Sequence, residues 1–300
     1  SWLNVTPSDR LSEEMLFNDR EGFVKALNGV YIELNTNELY GRNLTAGALD
    51  VMGQYYSVAS SSHAFYNYGG LVYTGNDEKA LFDNMWQKCY AVIACCNTII
   101  EKCDENKAGL SPVWRGSIKG EALALRAMLH FDMLRLFGPL TSELDKESIP
   151  YQTNSDQTVT PLLSGSEVVG LILDDLKNAV GLLKDTDPYF VEEEFSDTDL
   201  NYRRFRMNYF AAKGLMARVQ LWGGDKEKAA ATAKEVIAEG QAEGAEFFPF
   251  VTNSEATSSN PDRVFYSEVL FGTYHSSREK LHEDLFAPTL ESTSILTLAG

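Results

Sequence analysis

Between residues 82 and 103, apolar side chains recur at alternating spacings of four and three residues, and no other feature of the chain constrains its fold as strongly. In an α-helix of 3.6 residues per turn, such positions share one face. The pattern therefore predicts an amphipathic helix of about six turns, which must pack its apolar face against neighbours. The stripe consists of Phe82, Trp86, Cys89, Ile93, Cys96, Ile100 and Cys103.

Other segments of the chain show the same periodicity. After Ser111 and Pro112, apolar residues on two faces predict an inner helix that ends at Gly138 and Pro139. Further helices are predicted from Phe23 to Leu34, from Leu44 to Tyr56, and from Ser166 or Glu167 to just before Pro188. The chain is therefore predicted to be rich in helices joined by long loops.

Residues 207–240 have the length of one tetratricopeptide unit, 34 residues, and read as helix, tight turn and helix. The turn is Gly223, Gly224 and Asp225, and the Asp225 side chain can cap the second helix. Pairs of this kind bury their faces only against neighbouring pairs. We therefore expect a mainly α fold, with tetratricopeptide-like helix pairs stacked in a superhelical block, long loops and little β structure.

The domain organisation follows from where this periodicity stops. With 300 residues, 44% of them hydrophobic, the chain can bury a substantial core. We expect one domain over residues 1–300, with a helical repeat scaffold at about 11–240 and an irregular region of loops and short strands at 241–300. Since the last residues are apolar and no capping helix follows them, we also expect the domain to continue in a C-terminal part absent from this sequence.

Charge and cysteine content restrict the partners and the chemistry. The formal net charge of −17 disfavours nucleic acid and attachment to anionic lipid, and favours neutral or cationic ligands. No segment approaches the roughly 18 consecutive apolar residues of a membrane span. Cys89, Cys96 and Cys103 are seven residues apart, about 10 Å along a helix, which is too far for a disulfide. We expect these cysteines to pack as small apolar residues.

Sequence signatures of catalysis are absent. The four histidines are scattered and form no zinc-binding helix motif, and no phosphate-binding loop or nucleophile elbow can be identified. The many adjacent carboxylates are expected to form a solvated acidic face. The sequence predicts no enzymatic activity and no cofactor.

The segment from Val51 to Asn76 contains no charged residue and is crowded with aromatic side chains. One interpretation is an aromatic loop packed as a plug on the helical block. The other is a binding surface, because a tyrosine offers a flat apolar face to a sugar ring and a hydroxyl for polar contact. Under the second interpretation the candidate ligand-binding residues are Tyr55, His63, Tyr66, Asn67, Tyr68 and Tyr73.

Two smaller groups are weaker candidates. The basic residues within 202–206 are expected to pair with the acidic run Glu192 to Glu194, and what remains of them could contact a ligand. Tyr266, Tyr274 and His275 lie beside an expected loop and are candidates by aromatic content alone.

Five segments follow one another along the chain: residues 23–31, the Trp86 helix with Cys96 and Asn97, residues 120–138, Asp175 with Leu176 and Ala179, and residues 211–219. Taken in order, they resemble the SusD/RagB family of outer-membrane nutrient-binding lipoproteins of Bacteroidetes. The chain departs from the family pattern at His130, where tyrosine is more usual, and at Gly138 and Pro139, where the spacing is compressed. The resemblance covers roughly residues 11–240, and family members usually extend well beyond 300 residues.

The resemblance implies a non-catalytic, lipid-anchored protein of the cell surface, built on a tetratricopeptide scaffold. Such a protein binds an oligosaccharide or polysaccharide over a SusC-like TonB-dependent outer-membrane transporter. The lipid-bearing cysteine would lie just upstream of Ser1, outside this chain. The loop between the second and third helices often contributes to ligand binding in the family, which points to the residues from Tyr55 to Tyr73.

Two other functions remain open at this stage. A tetratricopeptide-type protein-interaction scaffold would grip a peptide on its concave helical face and ignore sugars. An all-helical glycoside hydrolase would place two carboxyl groups across a cleft and turn glycan over.

Overall fold

The computed structural model describes residues 13–156, 158–196, 199, 202–242 and 245–299. It divides into a first unit, Ser1–Leu27 with Ile93–Gly272, and a second unit, Asn28–Val92 with Thr273–Gly300. Helices dominate and strands are short, so the mainly α fold class is confirmed. The helices are α1 (Arg20–Leu34), α2 (Ala48–Met52), α3 (Tyr66–Gly69), α4 (Asn76–Glu105), α5 (Pro112–Phe137), α6 (Gly165–Thr186), α7 (Tyr209–Trp222), α8 (Lys226–Gly240), α9 (Asn253–Ala256) and α10 (Arg278–Leu285).

In the described part of the chain, the β structure consists of three antiparallel strand pairs. Tyr56–Ser57 (β1) pairs with Thr297–Leu298 (β6), Glu147–Pro150 (β2) with Leu162–Ser164 (β3), and Gln241–Ala242 (β4) with Ala245–Glu246 (β5). Each strand has two to four residues. Pairs this short connect helices rather than form a core layer.

The striped helix predicted from the four-and-three spacing is α4. Cys89, Cys96 and Cys103 are buried along it and none forms a disulfide, as predicted, whereas Cys95 is exposed. Burial raises the pKa of the Cys103 thiol to about 12. A thiol of this kind stays protonated at neutral pH and behaves as a small apolar group.

The first unit is organised around α5, which is the inner helix expected from its two apolar faces. Ser111 caps its first turn by accepting a hydrogen bond from the amide of Trp114 at 3.3 Å. A Cβ added at Gly116 would lie 2.6 Å from Thr186, and one added at Gly120 would lie 2.7 Å from Leu183. These two glycines therefore allow α6 to approach α5 closely.

The remaining helices of the first unit follow in sequence, with α6 against α7 and α7 against α8. The tetratricopeptide-length unit forms α7 and α8 as predicted, with Gly224 at φ +93° in the turn. Asp225 caps α8 by accepting from the amide of Lys228 at 3.0 Å. Within α8, Val236 is buried and the next residue, Ile237, is exposed. Helix α6 begins at Gly165, where Ser164 and Glu167 form a capping box.

The second unit has less helix than expected. The helix predicted from Leu44 to Tyr56 is limited to α2, because Gly53 ends it and Gln54 follows in the left-handed region at φ +62°. The unit's core includes Ala48 and Val51 from α2, Leu285 from α10 and Leu296 ahead of β6. None of the helices described in either unit is long and apolar enough to cross a membrane.

Candidate functional site

The uncharged stretch from Val51 to Asn76, called the aromatic segment below, lies entirely in the second unit. It contains the end of α2, β1, all of α3 and the first residue of α4. A segment with so many polar and aromatic residues is expected to form a loop at the surface. Several of its aromatic rings nevertheless lie in the core. The segment therefore combines the two roles considered for it, a packed plug and an exposed surface.

Tyr66 and Tyr68 show how the segment divides. Both belong to α3, a single helical turn, and side chains two residues apart on a helix point in nearly opposite directions. Tyr66 is 43% exposed, whereas Tyr68 is 2% exposed. Of these two tyrosines, therefore, Tyr66 has its ring at the surface and Tyr68 has its ring in the core.

Tyr68 holds the segment to its base. Its ring packs edge-on against Phe65 at 5.8 Å and against Phe82 at 5.9 Å, with Tyr73 at 6.5 Å. Burial, together with the charges of Glu78 and Asp77, raises the pKa of the Tyr68 hydroxyl to about 12. The buried ring is thus a structural anchor, and Tyr73, at its edge, remains partly exposed.

Tyr55 is the most exposed of the four predicted tyrosines, at 67%. The Gln54 side chain fixes the backbone beside it by donating to the carbonyl of Gly69 at 3.1 Å, which joins α2 to α3. The carbonyl of Tyr55 accepts a hydrogen bond from the amide of Ala299 at 3.0 Å, next to the β1–β6 pair. Tyr55 is therefore exposed on a backbone held from both sides.

Asn67 lies on the exposed side of α3, and its Nδ2 donates to Glu78 Oε1 at 2.9 Å. Glu78 is buried, and a Cβ at Gly75 would lie 2.0 Å from its carboxylate, so this glycine leaves room for the carboxylate. The bond fixes the amide plane of Asn67. Its Oδ1 has no partner among the described residues and is an available acceptor.

His63 is buried beside Phe65, with ring centroids 5.8 Å apart. The amide of Phe65 donates to His63 Nδ1 at 2.9 Å, so the ring proton must be on Nε2. This N–H is buried and has no acceptor in the described part of the protein. A buried donor of this kind is normally satisfied by an ordered water or a ligand.

The backbone of the aromatic segment is strained next to its exposed rings. Leu71 adopts φ +55°, a conformation that branched and bulky residues rarely occupy. Leu71, Val72 and Tyr73 are all exposed, as is Tyr66, which begins the helical turn just before them. Strained backbone and exposed apolar side chains are both concentrated at functional surfaces more often than elsewhere.

The basic cluster at 202–206 does not pair as expected. Arg203 is buried and forms a bidentate pair with Asp187, at 3.0 and 2.7 Å, and a second pair with Glu121. The predicted pairing of this arginine with the acidic run from Glu192 is therefore wrong. The two carboxylates that pair with Arg203 are buried and have lost their hydration. They therefore need its positive charge more than the carboxylates of the acidic run do.

Residues that carry the family resemblance form a second buried network. Arg126 makes a bidentate pair with Asp175, both bonds 2.7 Å, and donates to Asn97 Oδ1 at 2.9 Å. Asn97 in turn donates to the carbonyl of Asn154 at 2.9 Å, and Tyr151 donates to Asp175 at 2.6 Å. This network joins α4, α5 and α6 to the loop after β2, so these residues support the scaffold.

The third group of candidates is split. Tyr274 is exposed beside Arg278, and His275 Nε2 is 2.9 Å from the carbonyl of Gly41 in the second unit. Tyr266 belongs to the first unit, where its ring lies 5.0 Å from the Arg204 guanidinium. Among the described residues, no cluster of three or more His, Cys, Asp or Glu side chains could hold a metal ion.

Residues from the other end of the chain support the aromatic segment, and the sequence alone does not identify them. Leu285 and Leu296 pack with Phe65 and Tyr68, and Phe286 lies 5.2 Å from Tyr56. The apolar character of 295–298 was the one available signal, but its partner could not be identified without the fold.

Comparison with known proteins places this architecture in a family. The model of the SusD-like family described as "Starch-binding associating with outer membrane" matches residues 1–221. A SusD-like protein of Formosa agariphila is 25% identical over 242 residues, which cover 78% of this chain and 42% of that relative. A SusD-like protein of Bacteroides ovatus is 30% identical over 146 residues. The match thus spans less than half the length of each of these relatives.

Solved structures with the same fold extend the comparison. A SusD superfamily protein of Bacteroides thetaiotaomicron superimposes with a TM-score of 0.67 at 19% identity, covering 93% of this chain and 60% of that one. A SusD-like carbohydrate-binding protein of Bacteroides vulgatus gives 0.63 at 24% identity, over 79% and 47% of the two chains. A laminarin-binding SusD-like protein gives 0.59 at 18% identity, over 80% and 48%.

Proposed function

Because this chain belongs to the SusD-like family, whose description is starch-binding and associating with the outer membrane, we propose that it captures a glycan without cleaving it. The ligand is an oligosaccharide or polysaccharide, and the aromatic segment supplies the main contacts. The observation that carries the proposal is the presence of exposed, backbone-fixed tyrosines in a stretch of 26 residues without a charge, residues 51–76. Such rings stack on sugar faces with little loss of entropy.

Within this surface, the predicted site residues take different roles. Tyr55, Tyr66 and Tyr73 offer rings to the ligand, and Asn67 offers its Oδ1 as acceptor. Tyr68 and His63 lie beneath them, Tyr68 as the anchor of α3 and His63 as a buried donor. The laminarin-binding relative supports a glycan ligand and suggests a β-glucan as one probe.

The partner and location proposed for the whole protein follow from the family. We place it at the cell surface, held on the outer membrane by an N-terminal lipid anchor, where it passes glycan to a SusC-like TonB-dependent transporter. The association of the matching family with the outer membrane supports this arrangement. Gentle detergent extraction of native membranes should recover the full-length protein with such a transporter, and its recovery alone would contradict the hand-over.

The test of glycan capture is a binding screen of the purified chain on a panel of neutral and charged glycans, followed by titration calorimetry on the best ligand. The expected result is that a glycan binds and that its binding is weakened when Tyr66 and Tyr55 are both replaced by alanine. Affinity for peptides together with indifference to every glycan would instead indicate a protein-interaction scaffold.

A further inference from the structure

The first unit contains a cleft of about 560 Å³ outside the aromatic segment. It lies between the loop that contains α9 and the 3₁₀ turn Tyr266–Glu268, with Arg204 at its base. Its volume falls in the range of roughly 300 to 1,000 Å³ that small-ligand sites occupy. A cleft of this size accommodates one or two sugar rings.

The wall of this cleft carries polar side chains without partners. The hydroxyl groups of Ser254, Ser258 and Ser267 and the amide of Asn260 make no hydrogen bond with any described residue. Each can both donate and accept a hydrogen bond. Groups of this kind match the hydroxyl groups of a sugar, which also do both.

Two carboxylates stiffen the loop that presents these groups. Glu255 Oε2 accepts from the amide and the hydroxyl of Thr252 at 2.8 and 2.7 Å, in a capping box. Asp262 accepts from the amides of Val264 and Tyr266 at 3.0 and 2.7 Å. Because both carboxylates also line the cleft, it presents negative charge to whatever enters.

An aromatic ring completes the cleft. Tyr266 is 42% exposed, and the residue before it, Phe265, is held at φ +51°, which is strained for an aromatic residue. The Arg204 guanidinium lies between two rings, 4.9 Å from the centroid of Phe248 and 5.0 Å from that of Tyr266. It also donates to the carbonyls of Phe247 and Tyr266. Arg204 is thus engaged in holding the ring in place.

We propose that this cleft is a second glycan site, specific for a neutral sugar. A sugar hydroxyl edge would bond to Asn260 and the serines while Tyr266 contacts the ring. An acidic sugar would meet Glu255 and Asp262. Arg204, the one cationic side chain among the described residues that line the cleft, is already bonded to two carbonyl groups. The sugar class rests on the proposed function, but the position of the site does not, because no residue of the aromatic segment takes part.

The test combines calorimetry with hydrogen–deuterium exchange on the complete chain. The probes are maltoheptaose and laminarihexaose as neutral glycans and trigalacturonate as the acidic one. A bound neutral probe should protect both residues 251–267 and the aromatic segment, and trigalacturonate should protect neither.

The variant Asn260→Ala/Ser267→Ala removes two unpartnered groups, so its fold should be unaffected. It should lower affinity at the cleft roughly 25-fold and strongly reduce protection of 251–267, since each of the two lost hydrogen bonds lowers affinity about fivefold. Ser276→Ala, an exposed serine of the second unit, is the matched control and should change nothing. Tyr66→Ala should reduce protection of the aromatic segment and leave that of 251–267 unchanged.

Each alternative result has a distinct meaning. If a bound neutral probe leaves 251–267 unprotected, or if Asn260→Ala/Ser267→Ala binds as wild type does, the second site is overturned. If trigalacturonate protects 251–267 as well, the specificity for neutral sugars is overturned. If the cleft is protected while Tyr66→Ala has no effect, the aromatic segment is refuted as a site and the cleft stands. If no probe and no glycan of the panel binds, both proposals fail.

Discussion

Tyr66 and Tyr68 occupy one helical turn, two residues apart, yet the first has 43% of its surface exposed and the second only 2%. The difference follows from helical geometry, since one of the two side chains must face inward when the other faces solvent. This pair therefore provides an internal comparison between recognition and packing within the aromatic segment.

We expect Tyr66→Ala to weaken glycan binding with little effect on stability. Loss of one stacked ring typically removes about 1 to 3 kcal/mol of binding free energy, a reduction of roughly 5- to 150-fold in affinity. Tyr68→Ala should instead lower the free energy of unfolding by about 3 to 5 kcal/mol, as truncation of a buried aromatic residue does. Calorimetric affinity and thermal melting should be measured for both variants.

Tyr68→Phe is the matched control, since it keeps the ring and removes only the hydroxyl. It should bind and melt nearly as the wild type does. Unchanged affinity in Tyr66→Ala for a glycan that the wild type binds would remove Tyr66 from the site, and a folded Tyr68→Ala with weakened binding would return Tyr68 to it.

The amino-acid composition was enough to locate the aromatic segment, but it did not show which of its side chains face solvent. The absence of charge from Val51 to Asn76 identified the segment, and no local rule placed α3 within it. Without that turn, Tyr66 and Tyr68 were equivalent candidates. The partners of Tyr68 at Leu285 and Leu296 are more than 200 residues away in sequence, and only the tertiary structure brings them together.

A second prediction concerns the buried pair of Arg126 and Asp175. Asp175→Asn should lower the free energy of unfolding by about 3 to 5 kcal/mol, because it leaves the Arg126 guanidinium buried without its counter-charge. Asp174→Asn, a neighbouring exposed position on α6, should change it by less than about 0.5 kcal/mol. Urea denaturation measures both, and equal effects would show that the pair has no special role.

The periodicity of the scaffold was sufficient to place α4, α5, α7 and α8, because their apolar stripes extend over several turns. The same periodicity could not predict which charged side chains form ion pairs. The sequence favours pairing of Arg203 with the acidic run that begins at Glu192, but Asp187 and Glu121 are the carboxylates that the fold buries beside it. Burial decides which charges must pair, and burial is a property of the tertiary structure.

A third prediction concerns catalysis, which a glycan site with carboxylates could in principle support. The aromatic segment has no carboxyl group. In the cleft of the first unit, hydrogen bonds from Thr252 lower the pKa of Glu255, and backbone amides lower that of Asp262. A glycosidase needs one carboxyl group of raised pKa to act as the acid. Prolonged incubation should therefore leave a bound oligosaccharide intact, and reducing-end release above buffer would refute this.

The last prediction follows from His130, which is fully buried in α5 with its ring stacked on Tyr151 at 4.0 Å. Its Nδ1 lies 2.9 Å from the carbonyl of Arg126, and its Nε2 accepts from the amide of Gln152 at 3.0 Å. Burial lowers the pKa of this imidazole to about 3, although the bond to the Arg126 carbonyl acts in the opposite direction. The ring therefore stays neutral in the folded protein at every pH above that value.

In the unfolded chain the same ring titrates near pH 6.5. Between that pH and about 3, unfolding takes up one proton at this site, so stability should fall as pH falls, by about 1.4 kcal/mol per pH unit. Between pH 6.5 and 5, before most carboxylates titrate, His130 should account for roughly 2 kcal/mol of lost stability. His130→Phe keeps the stacked ring but loses both hydrogen bonds. It should be less stable than wild type at pH 7.5 yet show a flatter profile down to pH 5, measured by urea denaturation. Parallel profiles for the two proteins would mean that His130 is already protonated in the folded state, contrary to the burial argument.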